Sequence, residues 1–368
     1  MRAVWYDEFG VAPVVREVPD PTPGPDDAVI AVAATGVCRS DWHAWQGHDP
    51  DVGLPHVGGH ELAGTVAALG ASVRGWRVGH RVTVPFVCAC GTCAECASGH
   101  QQVCVRQSQP GFSHWGSFAE LVRVEHAAVN LVALPDSVDS AVGAILGCRF
   151  GTAFRAVVRQ GRVTAGNWVA VHGCGGVGLA AVMIAVAVGA RVVAVDVSVG
   201  ALALARELGA DATVDASLGG EGDASAGGEN AADSVAAAVR DATDGGAHVS
   251  LDCLGSRGTC AASVLGLRRR GRHVQVGLMP LGPAEVPMDR VIAYELALFG
   301  SHGLPAYDYR AMLAMLATGR VRPDRLVGRR IDLDGVPSAL AAMGSPGPRP
   351  PGITVADLRL LRDTERYG

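Results

Sequence analysis

Gly173-Cys-Gly-Gly-Val-Gly178 stands directly after the strand-like run Trp168–Val171 and opens an apolar helical run ending at Val188. A strand, a G-x-G-x-x-G turn and a helix in that order leave few folds open. Gly173 permits the tight turn, Gly175 lets backbone approach a pyrophosphate, and Gly178 lets helix pack closely on strand. The amides of Gly176 and Val177 at the helix start then face the phosphates. A second strand-like run, Arg191–Val195, ends at Asp196, and a helix from about Val199 to Leu208 follows. Strand alternating with helix predicts a parallel α/β sheet. A carboxylate at Asp196 would accept bonds from ribose hydroxyls and repel a 2′-phosphate, which favours NAD over NADP. The plainer alternative is a helix-cap Asp in a glycine-rich fold that binds no nucleotide. Residues 173–190 are long and apolar enough for a membrane span. Glycines crowd the start, however, and a β-run follows, so a buried helix is expected.

The second strong signal is C-G-T-C-A-E-C-A-S-G-H-Q-Q-V-C, with Cys90, Cys93, Cys96 and Cys104 at intervals of three, three and eight. Four thiolates this close can enclose one Zn²⁺ tetrahedrally and leave no position for water or substrate. Disulfides or scattered buried thiols are the alternatives. With no signal-peptide pattern in Met1–Gly10, the ten cysteines read as cytosolic thiols and metal ligands.

The 368 residues suggest about two domains. A net charge of −5, with 18% charged residues, gives no sign of a nucleic-acid or membrane partner. All 31 basic residues are arginine. Chemistry that needs lysine, such as Schiff bases or a Tyr-Lys pair, is therefore excluded. The first 130 or so residues look β-rich, with short apolar runs at Ala28–Ala34, Leu62–Leu69, Arg81–Val87 and Phe118–Val124 between Gly and Pro turns. Residues 216–230 read as a flexible surface loop before a helix near Ser234–Ala242, and 346–351 as a Pro/Gly-rich loop.

Three weaker motifs remain: Cys38-Arg-Ser-Asp-Trp-His43, Gly58-Gly-His-Glu-Leu-Ala-Gly64 and Gly147-Cys-Arg-Phe-Gly-Thr152. Each alone is unremarkable. Together they offer Cys38, His60 and Cys148, a Cys₂His set with an open fourth position. In order and over nearly the whole length, the motifs make the chain resemble the zinc-dependent alcohol dehydrogenases of the medium-chain dehydrogenase/reductase family.

That resemblance implies a GroES-like β-rich catalytic domain at 1–149 with a structural-zinc lobe near 88–105. It implies a Rossmann NAD domain at 150–299, and a segment 300–368 that returns to the catalytic domain. Cys38, His60 and Cys148 would hold the catalytic zinc, giving two zinc ions per chain with the cysteine cluster. Glu61 would approach the metal during ligand exchange, and Asp41 would fix the ring of His60. Ser40 would bond the alcohol oxygen, and His43 would pass the proton to solvent. A zinc-bound alkoxide would release hydride to the nicotinamide, reversibly.

Thr152, Cys253, Gly255, Val276, Gly277 and Leu278 would lie along the cofactor, with Arg330 or Arg329 on the pyrophosphate. Phe86, Trp115 and Trp42 would line an apolar substrate pocket. A cytoplasmic homodimer or homotetramer acting on small alcohols, aldehydes or ketones is expected.

Some positions depart from the family or stay open. Many relatives carry a lysine five positions past the ribose-binding acid, where this chain has Ala201. Cys88 is an extra thiol, either packed or an alternate ligand, and Cys174 a small filler facing the cofactor. His48, His56, His100 and His114 lack partners at ligand spacing. A polyol, threonine or thiol-adduct formaldehyde dehydrogenase is an alternative within the family. A non-catalytic nucleotide-binding zinc protein is the alternative outside catalysis.

Overall fold

A computed structural model of the chain describes residues 1–219, 229–279, 282, 284–345 and 350–359. The core of the predicted surface loop at 216–230, and part of that at 346–351, lie outside these. The strand-like run after residue 167 forms Trp168–His172, the first strand of a six-stranded parallel sheet. The other strands are Arg191–Asp196, Ala212–Asp215, Ala247–Asp252, Leu267–Gln275 and Ala297–Gly300. Across the sheet, the order by chain position is third, second, first, fourth, fifth, sixth. The order reverses between the first and fourth strands, and that is where a doubly wound sheet opens a crevice beyond its carboxyl ends. The turns at 173–175, 253–255 and 276–278 all leave strands at this end.

Gly176–Val188 is apolar around its whole circumference because most of it is buried. At 13 residues it is too short to span a bilayer. A longer helical run, Ser140–Gln160, is long and apolar enough, but 83% of its most apolar window is buried in the protein. It crosses residue 150 without a break and packs on Gly176–Val188. One hydrophobic core joins Ala34 and Ala63, Ile145 and Phe150, Leu179 and Ile184, and Ile353 and Val355. It therefore runs through both sheets.

The N-terminal part is β-rich. Its main sheet has Ala28–Val37 at the centre, paired antiparallel with Glu61–Leu69 and Leu121–Val124. Arg81–Thr83 and Val132–Ala133 extend one side. On the other side Ile353–Asp357 pairs with Ala28–Val37 and brings Val327–Ile331 with it, so the chain's last described strands return to the first domain. A smaller sheet, Val14–Glu17, Arg2–Tyr6 and His56–Val57, covers one flank.

The glycine turn is sterically fixed. Gly173 has φ +87°, a backbone region that L side chains rarely adopt. A Cβ on Gly178 would lie 1.8 Å from the Gly173 carbonyl oxygen. Gly178→Ala should therefore push helix from strand, costing about 1–3 kcal/mol in a denaturant melt and weakening dinucleotide binding in a direct titration.

Candidate active site

Ala28–Val37 ends by delivering Cys38 as the N-cap of the short helix Arg39–Trp45. Asp41, three residues on, turns back so that its Oδ2 accepts the Cys38 backbone N–H at 2.9 Å. Its Oδ1 accepts the Gly59 N–H at 3.2 Å and lies 2.7 Å from His60 Nδ1. The carboxylate thus anchors the Nδ1 proton of His60 and leaves Nε2 as the nitrogen available to a metal. That Nε2 is buried with no hydrogen-bond partner among the described residues.

Cys148 arrives from a wide, π-type turn, Leu146–Phe150, inside the long helical run. Such turns recur where a helix presents a functional side chain. Ligand atoms of Cys38, His60, Glu61 and Cys148 all lie within 4.8 Å of one another. The Cys38 thiol is held well below its ordinary pKa, chiefly by a hydrogen bond with Cys148, helped by the Arg149 and His60 charges against the penalty of burial. Two cysteine sulfurs, one of them with a lowered pKa, beside a buried, orphaned imidazole nitrogen fit a zinc ion.

Glu61 is fully buried, which raises its pKa, opposed by Arg149. Arg149 grips it. Nε lies 2.9 and 3.0 Å from the two carboxylate oxygens, Nη2 bonds Oε2, and the Arg149 backbone N–H adds a bond of 2.9 Å. Glu61 sits opposite Gly36 in the sheet register, where any Cβ would lie 2.0 Å from Oε2.

Ser40 Oγ is 3.9 Å from Cys38 Sγ, at the edge of the ligand sphere. His43 is half-buried, and its Nδ1 meets His48 Nδ1 at 3.0 Å. Burial, then the Arg39 and His48 charges, lower the pKa of His43. His48, unpartnered by sequence spacing, is therefore the side chain next to the expected proton carrier. Of the three expected pocket aromatics, Phe86 packs edge-on against His60, with ring centres 6.2 Å apart. Trp42 packs against His43 and His48, and Trp115 against Trp5. Phe112 and His302 were missed by sequence. Phe112 lies 5.2 Å from the His60 ring and His302 lies 5.0 Å from Phe86. No local pattern marks either.

The second cysteine set converges as well. Cys93 Sγ is 3.4 Å from Cys96 Sγ and 3.7 Å from Cys104 Sγ, near the ~3.8 Å edge of a zinc–sulfur tetrahedron. Bonds from Thr92 lower Cys90 to about 5, with Arg106 adding to the effect. Cys88 stays out of both sets. It is fully buried in the β-rich core, and burial pushes its thiol up.

On the crevice side, a Cβ at Gly175 would meet nothing within 4 Å, so the turn leaves open room above the helix start. Thr152 Oγ1 is buried with no partner among the described residues, as a group awaiting a ligand would be. Gly255 and Gly277 let two of the crevice turns touch, since a Cβ on Gly277 would lie 2.4 Å from Gly255 N. Val276 and Cys253 are half-buried there and Leu278 is exposed. Asp196 accepts the Cys174 N–H at 2.6 Å and the Ser198 N–H at 2.8 Å. Cys174 Sγ is directed at the Val195 carbonyl, not outward. Ala201, in place of the family's lysine, is buried in the first turn of Val199–Glu207. Arg330 ion-pairs with Asp139 at 2.8 Å and Asp357 at 3.2 Å. The guanidinium whose stem reaches the nucleotide helix is that of Arg149, with Cδ 2.5 Å from where Gly176 would carry a Cβ. Asp41→Asn should cut zinc affinity of the Cys38–His60–Cys148 set about 10–100-fold in a chelator competition, with the cysteine-cluster zinc retained.

Residues 24–136 match the model of the alcohol dehydrogenase GroES-like domain, and 176–318 match that of the zinc-binding dehydrogenase. An alcohol dehydrogenase of Moraxella sp. (strain TAE123) is 34% identical over 88% of this chain and 90% of its own length. The alcohol dehydrogenase TADH from Thermus sp. ATN1 superposes with a TM-score of 0.85 at 29% identity, covering 97% of this chain and 99% of that one. A zinc-binding dehydrogenase from Sinorhizobium meliloti 1021, solved bound to NADP, gives a TM-score of 0.83 at 30% identity, covering 97% and 98%. With both domains matched and relatives aligned across most of its length, the chain belongs to the zinc-dependent alcohol dehydrogenases of the medium-chain dehydrogenase/reductase family.

Proposed function

We propose that this chain oxidises small neutral alcohols to aldehydes or ketones, reversibly, with NAD as hydride acceptor and two zinc ions per chain. The reading is carried by the convergence of Cys38, His60 and Cys148 around the orphaned His60 Nε2. When bound, the zinc supplies a Lewis acid that lowers the pKa of the alcohol hydroxyl, and the nicotinamide supplies the hydride acceptor.

The protein's own groups do the rest. Asp41 fixes the His60 ring so that its lone pair faces the ligand sphere. The Ser40 hydroxyl, beside Cys38, holds the alcohol's proton, and His43 receives it. A lowered pKa keeps His43 neutral near pH 7, able to accept a proton, and the contact with His48 continues the path toward solvent. Phe86 and Phe112 beside His60 favour an apolar substrate and keep water from the reacting carbon. The Gly173–Gly178 turn binds the pyrophosphate, and Thr152 the nicotinamide end.

Two backbone N–H bonds hold the Asp196 carboxylate in place at the strand end, where it would repel a 2′-phosphate. This supports NAD, although the Sinorhizobium relative was solved with NADP. A cytoplasmic dimer or tetramer completes the proposal, on the family resemblance.

The test is a panel of primary, secondary and benzylic alcohols with NAD and NADP, read at the NADH absorbance, alongside the zinc content. Activity on at least one class with two zinc per chain is expected. One zinc and no turnover across the panel would leave a non-catalytic nucleotide-binding protein. Cys38→Ser should abolish turnover and lose one zinc while the protein stays folded by circular dichroism. His43→Gln should slow turnover on the order of 10²-fold, with recovery at high pH as hydroxide replaces the base. Asp196→Gly should raise the NADP/NAD ratio of kcat/KM; an unchanged ratio would remove the residue from cofactor selection.

A further inference from the structure

Arg149 follows a metal ligand and has no role in the chemistry above. Its exposure is only 7%, yet it spans the seam between two sites. At its tip, the guanidinium holds both oxygens of Glu61, and Nη1 reaches the Val37 carbonyl at 3.3 Å. At its stem, Cδ occupies the space a side chain on Gly176 would need, 2.5 Å from the ideal Cβ. Gly36 is shaped by the same residue, because its Cβ would lie 2.7 Å from Arg149 Nη2. Glycines from two domains thus accommodate one side chain.

The charges give this packing a purpose. Two thiolates already neutralise a divalent cation held by Cys38, His60 and Cys148. A third anion, Glu61, lies in the same 4.8 Å cluster and would compete for the open position. A guanidinium that takes both carboxylate oxygens occupies the lone pairs Glu61 would use as a ligand. The aliphatic stem of the same residue lies against the helix start at Gly176, where the dinucleotide phosphates would dock.

We propose that Arg149 is a positioning residue shared by the metal and dinucleotide sites. Its fork holds Glu61 clear of the metal's open position, and its stem ties that restraint to the start of the nucleotide helix. Dinucleotide binding and the placement of Glu61 are thereby coupled. The inference rests on reading Cys38, His60 and Cys148 as metal ligands.

The test uses the full-length protein loaded with Co²⁺, whose d–d bands report the coordination of the Cys₂His site, together with NADH binding by fluorescence titration. In the wild type, NADH should shift the bands. In Arg149→Gln the bands should change before any NADH is added, as Glu61 enters the coordination shell. NADH affinity should fall about tenfold, as the start of the nucleotide helix at Gly176 loses the stem that braces it. Adding Glu61→Ala to that variant should restore the wild-type bands, which repair of a packing defect would not do. Arg149→Lys keeps the charge without the fork. It should recover NADH affinity more than band position, and it serves in place of Arg149→Gln if that variant does not fold.

A folded, two-cobalt Arg149→Gln protein with wild-type bands and NADH affinity overturns the inference alone. So does a band change that persists in the double variant. A wild-type protein that takes no cobalt at the Cys₂His site overturns the catalytic reading and this inference together.

Discussion

One buried carboxylate holds the candidate site in shape. Asp41 is 2% exposed and ties together the end of a central strand at Cys38, the loop at Gly59 and the ring of His60. Two chain segments, one at Cys38 and the other at Gly59–His60, are fixed together by its two oxygens. Without it, two backbone N–H groups and an imidazole N–H would lose their partner inside the protein, a cost of about 1–3 kcal/mol for each buried unsatisfied group. The carboxylate therefore couples the stability of the domain to the ring orientation of one candidate metal ligand. The Glu61–Arg149 pair depends on this frame, because Glu61 is the next residue after His60.

The remaining candidate ligand comes from a distant stretch of the chain. Cys148 rides on the helical run Ser140–Gln160, which packs against the nucleotide helix. The π-type turn at Leu146–Phe150 lets this run carry a ligand without leaving the core. Because Ile145 and Phe150 share a core with Leu179 and Ile353, movement of the nucleotide sheet relative to the β-rich domain would be felt at Cys148 within a few side chains. A metal site assembled across such a seam is a natural place for cofactor binding and metal geometry to influence each other.

Much of the architecture was legible in the sequence because it rests on local chemistry. Glycine φ preferences, short apolar runs between Gly and Pro turns and the cysteine spacing are all read within a dozen residues. Predicted Ala28–Ala34 is observed as Ala28–Val37, and Leu62–Leu69 as Glu61–Leu69. The strands Arg2–Tyr6 and Val14–Glu17 escaped because they are short and begin near the terminus. Cys38, His60 and Cys148 were legible only through the family resemblance, since each motif is unremarkable alone. Arg149, Phe112, His48 and His302 were invisible for a physical reason. Each acts through a tertiary neighbour, and nothing in spacing says that Arg149 will meet both Glu61 and Gly176. The sequence also suggested a change of character at Phe150, where one continuous helical run passes from the first domain toward the second.

The lobe around Cys90–Cys104 carries a consequence of another kind. Its buried interior consists of Ala89 and the four cysteine side chains, with Val129 packed alongside. Such an interior offers almost no apolar surface to drive collapse, so on the proposed reading of these cysteines as a zinc site the lobe's folding energy is in large part its metal-binding energy. Maturation of this segment is then set by zinc supply and thiol redox state more than by hydrophobic sequence. A newly made chain could complete its two large sheets and still wait, with one lobe unmade, for a single ion.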